Sequence, residues 1–199
     1  MRSAGTASWS ISVDQWDQLL ECALWIRAAE RIEVPAGGPV TGPPDVDPAP
    51  EPSLPAGDGL AEGWLWWWRT LLTRTATPDL AELSRCGPPD FEGLAGHPAL
   101  RDVVSARWGE AQSWYSARKR AGVKAFLAAH SRAREGMVVR AVEAELGHDA
   151  EPFSVRIVVL PVHDEQIRSA GQATFLVPER VHATSAYDDW LHALVRALA

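Results

Sequence analysis

Residues 34–59, VPAGGPVTGPPDVDPAPEPSLPAGDG, constrain the fold more than any other stretch, because they hold eight of the chain's fifteen prolines. Proline lacks a backbone donor, fixes its own φ and pushes its predecessor out of the helical region, so neither a helix nor a strand ladder can run through them. The stretch carries Asp and Glu without a single Lys or Arg. It reads as an acidic Pro/Gly-rich linker or long loop. It divides the chain into residues 1–33, an N-terminal strand and helix of the main domain, and residues 60–199, a helical body with a C-terminal β-hairpin and helix. Pro52-Ser53-Leu54-Pro55 has the PxxP form that docks into aromatic grooves, a pattern that any Pro-rich linker also produces by accident.

Elements can be placed on either side of this break. Ser12-Val13-Asp14-Gln15 has the form of a capping box, with Ile11 and Trp16 as a hydrophobic staple, and predicts a helix over about 13–31. Ser8-Trp9-Ser10-Ile11 alternates ahead of it as a short strand. Leu60, Trp64, Trp67, Trp68, Leu71 and Leu72 share one sector of a helix over about 60–75. Thr77-Pro78-Asp79-Leu80 opens a short helix to about Ser84, and Pro98 opens a long one to about Gly122 whose spacing continues to about Ser131. Val138, Ala141, Val142 and Leu146 form a further stripe that Gly147 ends. FSVRIVVL at 153–160 is the clearest strand and QATFLV at 172–177 a second. Ser185 with Asp188 then caps a terminal helix. The expected fold class is α+β: a helix-rich single domain, a small antiparallel sheet of two or three strands near the C-terminal end, and a terminal helix.

Composition narrows the function classes. With 199 residues of which 46% are hydrophobic, the chain can bury a sizeable core, and its net charge of −7 argues against a surface that is generally attracted to nucleic acid. Two cysteines, Cys22 and Cys86, are too few for a disulfide framework and lack C-x-x-C spacing, so a cytoplasmic setting is expected. The first residues have no apolar signal region, and no window approaches the roughly 18 apolar residues of a membrane span. Seventeen Arg against two Lys, and no Asn, suggest a GC-rich bacterial genome, which makes Arg abundance weak evidence of function. Phosphate loops, nucleophile elbows and zinc signatures are all absent, so no catalytic residue, no metal ligand and no cofactor is proposed.

Three constellations remain. The first is aromatic. On a helical wheel Trp66 falls among Glu62, Arg69, Thr70 and Thr73, and Trp25 among Asp14, Gln18 and Glu21. Indoles on polar faces fit partner-binding anchors, unless another layer of the same protein covers them. The second is a basic segment, Arg118, Lys119, Arg120, Lys124, Arg132 and Arg134, without an acidic residue between 118 and 134. It could hold an anionic ligand or nucleic acid, or pair with the acidic linker or first helix of its own chain. The third, His163-Asp164-Glu165 with His182, offers a general base or metal at a strand end, although its spacing matches no metal motif and a polar turn explains the same residues. The leading expectation is a non-enzymatic interaction or accessory protein whose partner is another protein or a second copy of the chain. An anion or nucleic-acid binder is the alternative, and an enzyme the weaker one.

Overall fold

The structure, a computed structural model, describes residues 9–47, 50–53, 59–76, 85–129, 134–171 and 173–199, with backbone alone at 74–76 and 124–129. Four strands among them, β1 (Ser10–Gln15), β2 (Ser154–Leu160), β3 (Arg168–Ser169) and β4 (Thr174–Pro178), form one sheet in the order β1-β2-β4-β3. Central β2 is apolar on both faces. Val155, Ile157 and Val159 belong to one buried cluster, and Val158 and Leu160 to another. A strand with two buried faces suits parallel pairing under helices on both sides, and β2 runs parallel to β1 and to β4.

The helix-rich α+β class holds, but the sheet is mixed and four-stranded, where two or three antiparallel strands were expected. The short interval between β2 and β4 suggests a hairpin. Instead the chain passes to the far side of β4, lays down β3, and returns; the antiparallel pair is β3 with β4. The capping box at Ser12 is also corrected. Residues 10–15 continue the alternation of Trp9-Ser10-Ile11 as a strand, with Ser10 pairing across 144 positions of sequence to Ser154. The helix begins later, at Gln18, where the Asp17 carboxylate accepts the Leu20 amide at 3.0 Å. Trp16, at φ 64°, makes the turn between the two. Its carbonyl accepts the Tyr115 hydroxyl at 2.8 Å, and its ring lies so close to Gly122 that an added Cβ there would meet Nε1 at 2.8 Å.

The α-helices among the described residues are α1 (Gln18–Ala29), α2 (Leu60–Ala76), α3 (Pro98–Ala129), α4 (Arg134–Leu146), α5 (Glu179–His182) and α6 (Ser185–Leu198). Helices α1, α2 and α3 share a core with Val158, Leu160 and Leu176 on one face of the sheet. Helices α4 and α6 cover the other face through Val139, Val142, Tyr187, Leu191 and Val195. None is long and apolar enough to cross a membrane.

Part of the Pro-rich stretch packs onto this body. Val34, Val40 and Val46 are buried, and buried Arg27 of α1 donates to the carbonyls of Thr41, Gly42 and Val34 at 3.0, 3.1 and 3.3 Å. Those oxygens replace water around a cation whose pKa burial lowers. Ser53 donates through its amide and hydroxyl to Glu30, which also pairs with Arg107 of α3 at 3.5 Å. Leu54 and Pro55 of the PxxP form, the helix expected at Thr77–Ser84, Arg132 and the side chain of Lys124 lie outside the described residues.

Candidate functional site

Helix α2 uses its tryptophans in two ways. Trp64, Trp67 and Trp68 face inward and are fully buried. A buried indole N–H must find an acceptor, and each does: Trp64 on Ala23 O at 2.8 Å, Trp67 on Cys86 O at 3.2 Å, Trp68 on Pro39 O at 2.8 Å. The rings of Trp64 and Trp68 stack at 5.2 Å between centroids, and the Arg27 guanidinium lies over Trp64 at 5.2 Å. Together they hold α2 to α1 and to the Pro-rich loop.

Trp66 points the other way and keeps 39% of its surface exposed. Its ring lies 5.1 Å from that of His97, which precedes α3. Gly63 makes this approach possible, since a Cβ there would sit 3.2 Å from the Cβ atoms of both His97 and Leu100. The two rings border an open groove of about 500 Å³ whose other walls are Glu62, Leu65, Arg69, Thr70 and Thr73. The hydroxyls of Thr70 and Thr73 donate back to the carbonyls of Trp66 and Arg69, at 2.8 and 2.9 Å. With its hydroxyls turned into its own backbone, the groove presents the threonine methyl groups and the indole, with the charged side chains of Glu62 and Arg69 also in its wall. His97 is the groove residue that the wheel could not supply, because it sits on a neighbouring segment; Gly63 is its faint trace in the sequence.

Trp25 does not join this surface. Only 4% of it is exposed, and the Arg107 guanidinium covers its ring at 5.2 Å. The polar side of α1 is dry because α3 brings cations to it. Glu30 meets Arg107, and Glu21, with 0% exposure, meets Arg118 at 3.3 Å. Burial outweighs Arg118 and pushes the Glu21 carboxyl up to about 7.

The same pairing accounts for part of the basic segment. Arg118 bridges Glu21 and Glu179 within the chain. Lys119 donates to the Tyr115 hydroxyl at 3.1 Å, and Arg134 clasps Asp188 at 2.6 and 2.9 Å. Arg120 is exposed and has no partner among the described residues.

The histidine constellation is divided. His163 Nε2 lies 3.2 Å from Asp45, and Nδ1 lies 2.6 Å from Arg180. Asp164 accepts from the amides of Gly42 and Gln166 and from Arg168; partial burial opposes its charge, but these donors outweigh it and hold the carboxyl below its usual range. Glu165 is exposed. His182 instead packs on Tyr187 at 4.5 Å, where burial, reinforced by Arg134, lowers its pKa and leaves Nε2 without a hydrogen bond. His163 and Asp164 thus fasten the Pro-rich loop to the sheet, and His182 packs half-buried against Tyr187 of α6. Cys22 is buried, which pushes its thiol up to about 12 and away from nucleophilic use. Among the described residues no group of three His, Cys, Asp or Glu is placed to hold a metal. Set against family models, curated proteins and solved structures, the chain matches none of them.

Proposed function

We propose that this chain is a non-enzymatic interaction protein that binds a protein partner through the outer face of α2, with Trp66 as the anchor. One observation carries the reading. In a helix whose other three tryptophans are buried and hydrogen-bonded, Trp66 stands in an open groove with its N–H unpaired among the described residues. A half-exposed indole adds contact area with few rotors to immobilise, which is why such rings dominate contact energy once a partner excludes water from them. The basic segment favours no second reading, since Arg118 already holds two carboxylates of its own chain.

Thr73 lines the groove and offers a test that leaves Trp66 in place. A photo-reactive benzophenone residue substituted at Thr73, irradiated in lysate of the producing cells, is expected to yield a protein adduct, and Trp66→Ser in the same chain to remove it. No adduct, or one indifferent to Trp66→Ser, contradicts the reading.

A further inference from the structure

Resting on the reading of α2 as a protein-binding face, we infer that its partner is a second copy of this chain, docked antiparallel across a two-fold axis near Trp66. The argument is the order of the charges. Glu62 and Arg69 line the groove seven positions apart, one on each side of Trp66, so they lie about 10 Å from each other along the helix and cannot readily pair within it. No ion pair engages either side chain among the described residues. Trp66 sits at almost the midpoint of the two. Turning a second α2 by a half rotation about that midpoint sets Glu62 of each copy against Arg69 of the other and brings the two Trp66 rings together at the axis. A surface that carries opposite charges at nearly equal distances from a central aromatic is complementary to itself, which is the requirement of an isologous contact. The methyl-lined floor beside Trp66 receives the ring from the opposite copy.

One helix face is smaller than the roughly 1,600 Å² contact of a standard stable complex, so the dimer is of the reversible kind. The test is sedimentation velocity of the full chain over a range from about 10 µM to about 1 mM, a span suited to weak association. Wild type is expected to dimerise with rising concentration. Glu62→Arg and Arg69→Glu each set like charges opposite one another twice over, and each should weaken association by about tenfold or more. The double reversal should restore it.

Net charge alone predicts otherwise. Glu62→Arg changes −7 by +2 to −5, Arg69→Glu changes it by −2 to −9, and the double variant returns to −7. Mere relief of repulsion would therefore strengthen association in Glu62→Arg, whereas the paired contact requires it to weaken. A wild type that stays monomeric throughout, a Glu62→Arg chain that associates more tightly, or a double reversal without recovery overturns the inference. The benzophenone adduct at Thr73 separates the two levels of the claim. An adduct of twice the chain mass supports the dimer; an adduct with a different protein overturns the dimer and leaves the interaction reading standing; no adduct overturns both.

Discussion

Trp25 on α1 and Trp66 on α2 occupy equivalent places in their helices, each an indole among polar neighbours, yet one is buried and the other exposed. The difference lies in what those neighbours meet. Glu21 on the polar side of α1 and Glu30 at its C-terminal end find Arg118 and Arg107 on α3, so that side becomes an interface inside the protein and Arg107 closes over Trp25. Glu62 and Arg69 on α2 meet no opposite charge among the described residues, and the groove at Trp66 is open. A polar helix face is wet only when nothing in the rest of the chain complements it.

The comparison can be broken in four ways. Trp25→Ala empties a core site and should cost about 3–5 kcal/mol in denaturant unfolding; a cost under 1 kcal/mol would mean that the ring is not enclosed. Arg107→Ala leaves buried Glu30 without its cation and exposes the ring beneath it, with an expected loss of about 3 kcal/mol in the same assay.

Glu21 sharpens the contrast through pH. The unfolded chain releases this proton near 4.5, whereas the folded protein retains it to about 7. Across that window the folded state binds more protons than the unfolded, so the contribution is full below pH 4.5, declines as pH rises to about 7, and is flat above. Replacing Glu21 by Gln should remove that slope, worth up to about 3 kcal/mol, as read from unfolding midpoints at a series of pH values. An unchanged slope would place the titration elsewhere. The smallest effect belongs to Trp66→Ser, expected to alter monomer stability by no more than about 0.5 kcal/mol while abolishing association. A loss of several kcal/mol would make Trp66 a core residue like Trp25.

Much of the helical framework is legible in the sequence, because α2, α3 and α6 carry their own apolar periodicity and breakers. The start of α1 is not, since Ser12–Gln15 satisfies a local capping pattern while β2, far along the chain, draws the same residues into a strand. The parallel sheet was hidden for a related reason. The unbroken apolar run of β2 records burial on two faces, but short spacing to β4 imitates a hairpin, and only the placement of β3 resolves the direction. At the site, the wheel separates Trp66 from its three buried neighbours using α2 alone. It misplaces Trp25 because the cations that bury it come from another helix.

Fluorotryptophan labelling puts a reporter on each of the ten indoles, and the Trp25 and Trp66 signals can be assigned by replacing each in turn with Phe. Fluorine NMR in dilute protein, with a soluble paramagnetic agent, measures directly which rings solvent reaches. The account predicts that the Trp66 signal broadens while that of Trp25 does not, and that Trp66 becomes protected as the protein is concentrated. Equal broadening of both signals, or a Trp66 signal protected even in dilute solution, would contradict it.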